Sequence, residues 1–299
     1  MTVDAHVHLI TFEMVEDFKN RFSSVYPAAK KVIEETSKKI IHPEFINYLS
    51  TVSLRDQAEK WLKAMDDNGI DRAVFFPISE RPEQILEFVK TAPERFVGYM
   101  YIDNPLEPDA PERLRKAAQE QSLVGLKLYP PTQLFHAYDK RLFPLYDEAQ
   151  SLGIPITFHF GITHAPVADF HYINPLDMRL PLTLFPKLNF IVAHFGAGFF
   201  RELCLLSYHA ENLYVDTSGT NNWRDFTPER LPLREIFKTT LELFTPDRVI
   251  FGTDTVLRSE TGYRTAIKKE QEEIVDSLGL SAEDVDKVFG GNATRLYRI

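Results

Sequence analysis

The sequence predicts an α/β fold, a (β/α)8 TIM barrel with a long helical insertion after strand 1. Short, nearly continuous apolar runs recur eight times, the pattern of strands buried on both faces of a parallel sheet. Longer segments with helical spacing of apolar residues separate them. The 299 residues divide into eight units of about 37, the span of a strand, a helix and their connections. An open doubly wound sheet is the competing arrangement, but no Gly-rich loop follows the first run. No repeat, low-complexity stretch or Pro/Gly linker divides the chain, so residues 1–299 read as one domain.

The first strand is 3–8 (VDAHVH). Alternation with period 2 puts His6 and His8 on one face and Val3, Ala5 and Val7 on the other. Residues 9–52 are far longer than an ordinary connection, and 13–40 reads as a charged helix or helix pair. Following the first strand, this insertion is expected over the C-terminal mouth of the barrel, as a lid or a dimer contact. The segment 53–68 opens on Ser53 as an N-cap and closes at Gly69. Strands follow at 73–78, 96–101, 124–129 and 155–160, with helices over 109–121 and 139–152. A polar and aromatic loop, 161–175, leaves strand five. Strands at 189–194, 213–217 and 249–254 complete the set, with a helix over 229–244. The tail 281–297 reads as a helix, a Gly-Gly-Asn stop and a short final helix.

A composition of 44% hydrophobic and 26% charged residues supplies a large core. The formal charge of -9 argues against nucleic acid and anionic membrane surfaces, both of which reward a basic patch. No apolar run approaches the roughly 20 residues that span a bilayer. Met1 leads directly into the first strand with no signal-peptide pattern, so the expected location is cytoplasmic. Cys204, the single cysteine, is read as a buried inert thiol.

The polar residues on these strands share one position. His6 and His8 end strand one, Lys127 lies near the end of strand four, and His159 ends strand five. His194 ends strand six and Asp254 ends strand eight. Taken singly, each has an ordinary explanation: a structural histidine, a rim charge, a helix cap. Together they occupy the C-terminal ends of strands, where barrels of this kind build active sites.

On these residues the chain resembles the amidohydrolase superfamily, in its amidohydrolase-2 branch, which includes aminocarboxymuconate-semialdehyde decarboxylase and dicarboxylate lactonases. The motifs are Asp4-Ala5-His6-Val7-His8, Gly125-Leu126-Lys127-Leu128, His159, Phe185-Pro186-Lys187-Leu188, Ala193-His194-Phe195-Gly196, Phe251-Gly252-Thr253-Asp254 and Gly291-Asn292-Ala293. The resemblance implies His6, His8, His159 and Asp254 as ligands of one divalent metal. Imidazoles and a carboxylate suit Zn2+, and also Mn2+, Fe2+ or Co2+. It implies His194 as an acid/base or polarising residue. Lys127 is then a substrate-facing ammonium, or else a carboxylated bridge between two metals.

Hydrolysis of an ester, lactone or amide is the leading expectation, with Asp254 and His194 handling the protons. Non-oxidative decarboxylation of an aromatic or muconate-like acid is the alternative, and a catalytically silent metal-binding barrel the lesser one. The substrate is expected to be a small anion met by Lys127, His164, Arg179, Trp223 and Arg258, with His171 also near the mouth. His42, His136 and His209 are expected to be structural. The wealth of Phe and Tyr suggests a homodimer through 9–52.

Overall fold

Eight parallel strand segments are paired in a ring in the computed structural model, which describes residues 1–25, 27–31, 35, 42–120, 122–163, 165, 167–258 and 262–299. The ladders form two sheets. One runs in the order β10 (Thr255–Val256), β1 (Val3–His8), β2 (Arg72–Phe76), β3 (Phe96–Gly98). The other runs β4 (Met100–Tyr101), β5 (Leu126–Leu128), β6 (Ile156–Phe158), β7 (Phe190–Val192), β8 (Leu213–Asp216), β9 (Val249–Ile250). The segment 96–101 belongs to both, since β3 pairs with β2 and β4 pairs with β5. The segment 249–256 belongs to both as well, since β9 pairs with β8 and β10 pairs with β1. Two bonds cross the second break: the Ala5 N–H donates to the Phe251 carbonyl at 3.0 Å, and the Asp254 N–H to the His6 carbonyl at 2.8 Å. All eight expected strands are present, shorter than their apolar runs.

The expected alternation along the first strand is corrected by a bulge. Pairing with β2 slips between Asp4 and Val7, where β1 carries one extra residue. Val3 and Ala5 therefore lie inside the barrel with Val74, Phe76, Val97, Tyr99, Ile191 and Ile250. Past the bulge His6 and His8 face inward as well, and Val7 packs outward beneath the helices. The apolar layer lies directly under the histidines.

Helix Leu54–Asp67 starts at a capping box between Ser53 and Asp56, as its sequence requires. Its Trp61 meets Phe75 edge-on, at a centroid distance of 4.9 Å. The insertion includes helices Phe12–Val25 and Pro43–Thr51, whose Val15, Phe45 and Leu49 pack beside Ile78 and Val256 at the C-terminal ends of β2 and β10. It thus sits at the expected mouth. Much of its middle lies outside the described residues.

The Gly-Gly-Asn stop is also corrected. Helix Ala282–Asp286 runs through a π turn at Lys287–Gly291 into helix Asn292–Tyr297. Gly290 is there for space, because a Cβ on it would lie 1.9 Å from the Met1 carbonyl oxygen. Ala293, Leu296 and Tyr297 then close the lower end of the barrel core. Cys204 is half-buried and burial pushes its thiol up to about 11, so it stays protonated. Among the described residues no helix is long and apolar enough to cross a membrane.

Candidate active site

Three donor atoms converge above the apolar layer. His6, His8 and Asp254 each offer one ligand atom, and these atoms lie within 4.8 Å of one another. His8 Nε2 stands 3.0 Å from Asp254 Oδ1, and His6 Nε2 3.9 Å from the same oxygen. The other nitrogen of each ring is engaged. His6 Nδ1 bonds the Asp216 carboxylate, and His8 Nδ1 donates to the Phe76 carbonyl at 3.1 Å. A carbonyl only accepts, so His8 carries a proton on Nδ1 and Nε2 is the nitrogen that meets Asp254. At 3.0 Å these two atoms share either a proton or a metal cation. His6 Nε2 is buried without any hydrogen-bond partner, which leaves a donor atom unspent. The residues fit a divalent metal.

His159 stands beside this trio rather than within it. Its Nε2 donates to the Ile162 carbonyl at 3.2 Å, which leaves Nδ1 as the free lone pair. Its ring lies 4.8 Å from that of His194 and 4.3 Å from that of Tyr129. His194 follows β7 in a left-handed stretch, with φ of 57° at His194 and 52° at Phe195. Its Nδ1 donates to the Ser218 carbonyl at 3.1 Å and lies 2.9 Å from Ser218 Oγ. Gly219, at φ +88°, keeps that approach open, since a Cβ there would sit 3.2 Å from His194 Nδ1. Asp254 is also left-handed, at φ 57°. Such conformations cost about 1–3 kcal/mol each and gather at functional sites.

Electrostatics prepare these groups for metal binding. Burial, followed by the Lys127 charge, holds His6 well below its ordinary value, and burial with His194 does the same for His159. Burial brings His194 down to about 4, against the pull of Asp254. The three rings are neutral at pH 7, the form that ligates a metal. Burial works to raise the Asp254 carboxyl, but the His8 bond and the surrounding histidines outweigh it and hold it well below the carboxylate range. Arg264 Nη1 adds a contact of 3.1 Å to Asp254 Oδ2. Lys127 Nζ is buried without a hydrogen-bond partner, 5.2 Å from the centre of the Phe76 ring.

The other substrate-facing expectations do not converge. Arg258 stays at the rim, over the Phe45 ring of the insertion at 5.2 Å. Trp223 is committed to packing: its indole N–H goes to Asn221 at 3.0 Å and its ring lies against Phe200. Arg179 is exposed and bonds Thr183 on its own helix. His171 is exposed and pairs with Asp169 at 2.7 Å, and His164 lies outside the described residues. His136, read as structural, pairs with Asp177 at 2.7 Å. Sequence reasoning passed over Asp216 and Ser218, although Asp216 stands at a strand end like the residues it did choose. Nothing local marks Arg264.

A parallel eight-stranded ring with histidines and an aspartate at its C-terminal mouth defines a TIM-barrel protein of the metal-site kind. The family described as Amidohydrolase matches residues 3–299, and the chain belongs to it, in the amidohydrolase-2 branch. It is an enzyme family with decarboxylase, hydratase and hydrolase members. No curated protein matches the sequence. Among solved structures, the chain is similar to 5-carboxyvanillate decarboxylase from Novosphingobium aromaticivorans, complexed with manganese and 4-hydroxy-3-methoxy-5-nitrobenzoic acid. The identity is 15%, coverage is 100% of this chain and 96% of that one, and the TM-score is 0.70. It is similar to 4-oxalomesaconate hydratase from Rhodopseudomonas palustris at 20% identity, over 100% and 96% of the two chains, with a TM-score of 0.65. A putative 2-pyrone-4,6-dicarboxylic acid hydrolase from Pseudomonas putida follows at 17%, over 99% and 97%, with a TM-score of 0.64.

Proposed function

We propose that this chain is a metal-dependent hydrolase that cleaves an ester, lactone or amide of a small anionic molecule. The observation that carries this reading is the buried, unpartnered Nε2 of His6 facing the close His8–Asp254 pair. One divalent ion would be held by His6, His8 and Asp254, with His159 as the fourth ligand. Zn2+ is the proposed ion, and Mn2+, Fe2+ and Co2+ also suit these donors. When bound, the ion supplies Lewis-acid activation of water and of a carbonyl. Asp254, ionised throughout the working pH range, accepts the proton of the attacking water. Asp254 then passes that proton to the leaving group, while His194, neutral and with Nδ1 held by Ser218, turns the Nε2 lone pair to the site and accepts a hydrogen bond from the attacking water, which orients it. Lys127 brings a buried ammonium with no hydrogen-bond partner, which favours a substrate carrying its own negative charge. Enzyme and substrate meet in the cytoplasm on this reading, with the chain a homodimer through 9–52; light scattering decides the dimer.

Decarboxylation of an aromatic acid is the second reading, favoured by the likeness to 5-carboxyvanillate decarboxylase. Metal content by plasma mass spectrometry, combined with product analysis in 18O-water, tests both. One metal per chain and 18O in the released acid are expected. The Asp254→Asn variant should keep appreciable metal and lose turnover by orders of magnitude. Release of CO2 without 18O incorporation selects decarboxylation. Two metals per chain would make Lys127 a carboxylated bridge and His194 a ligand. Inactivity of the metal-loaded protein on a broad panel of esters, lactones, amides and acids would leave a silent barrel.

A further inference from the structure

Two histidines with different tasks lean on one short stretch of chain at the end of β8. Asp216 is buried, and its Oδ1 accepts the Ser218 N–H at 2.6 Å, which turns Oδ2 onto His6 Nδ1. The Ser218 carbonyl takes the Nδ1 proton of His194. Ser218 Oγ lies between the two rings, 3.2 Å from His6 Nδ1 and 2.9 Å from His194 Nδ1. The rings themselves are 5.0 Å apart, and His6 stacks on Phe76 at 4.2 Å, so neither can swing to exchange its nitrogens.

We propose that Asp216 and Ser218 form one positioning device, which fixes both His6 and His194 with the proton on Nδ1 and the Nε2 lone pair turned into the site. The inference rests on the metal reading for what the His6 lone pair then does. A purely structural Asp216 would account for the turn onto the Ser218 N–H but not for the second oxygen spent on His6. An anionic acceptor on the far nitrogen of a ligating ring fixes its tautomer and raises its basicity, and losing such a partner weakens metal binding by about 10–100-fold. Since Ser218 touches both rings, His6 and His194 cannot be oriented independently.

The test uses the full chain, metal-free, with 15N-labelled histidine and long-range proton–nitrogen correlation. Both His6 and His194 should show a protonated Nδ1 and a bare Nε2. A proton on His6 Nε2, with Asp216 carrying the other, would overturn the proposal. Zn2+ affinity is then measured by chelator competition in Asp216→Asn, His6→Ala and the double variant. Asp216→Asn should weaken Zn2+ by about 10–100-fold in the wild-type background and have almost no effect on top of His6→Ala. An equal loss in both backgrounds would mean that Asp216 does not act through His6. Should Asp216→Asn fail to fold, the wild-type tautomers still decide. Unchanged Zn2+ binding in His6→Ala would sink the metal reading while leaving the tautomers to judge the positioning role.

Discussion

Lys127 is held where an ammonium is least at ease. Burial lowers it to about 8, and the negative charges of Asp216 and Asp254 recover only part of that cost. In the metal-free fold the lysine is a liability at pH 7, retained for what enters the site. Lys127→Met should therefore raise the unfolding free energy by about 2–3 kcal/mol at pH 7, measured by urea titration in CO2-free buffer. The sign follows from linkage. Between pH 8 and 10.5 the unfolded chain binds the proton that the folded chain has released, so the wild type gains stability as pH rises. The advantage of the variant should shrink across that window; an advantage that stays flat would place the ammonium in solvent. Lys127 could be singled out from the sequence because it sits at a strand end. Its lack of a hydrogen-bond partner could not, because that depends on three other strands.

The strands were legible because each is a run of apolar residues and the ring needs both faces dry. The bulge in β1 was not, since an extra residue exists only relative to β2, and without it His6 would point away from the site. The insertion was legible as a helix and as a cover, but not in what fastens it. Arg81, past β2, grips Asp17 of helix Phe12–Val25 with two bonds of 2.6 and 2.8 Å, and Arg21 of the same helix reaches Asp103 beyond β4 at 2.7 Å. Ion pairs between a helix and distant loops leave no local pattern. Because this pair is part-exposed, it holds the element rather than the fold, at about 1 kcal/mol. In Arg81→Ala, amides of 12–25 should exchange several-fold faster while the urea midpoint of the barrel stays put. A lowered midpoint with unchanged exchange would contradict that division.

The molecule as a whole is fastened at the floor of the barrel. Asn292 spans the chain there, its side-chain N–H groups donating to the carbonyls of Pro246 at 2.7 Å and Val249 at 2.8 Å. Gly290 lets the first residues of the chain pass against it. Gly290→Ala should cost about 1–3 kcal/mol in urea unfolding, as an overpacked core position does, and should weaken Zn2+ binding because β1 carries both leading histidines. A variant as stable as wild type would show that the chain start has room to move. Gly-Gly-Asn reads in the sequence as a stop because glycine commonly ends helices; only the approach of Met1 shows its other use.

The bulged first strand and the broken last one have a consequence for how the protein is made. His6 and His8 leave the ribosome with the first strand, whereas Asp254 and the strand that pairs with them follow about 250 residues later. Until then the nascent chain carries two buried-type histidines and a dry strand edge with no final neighbour. Closing the ring is then the most sequence-distant event in folding, and therefore a slow one. A ribosome-stalled chain ending before residue 249 should offer no tight metal site, so a metal ion would be acquired only after the segment carrying Asp254 has emerged and paired.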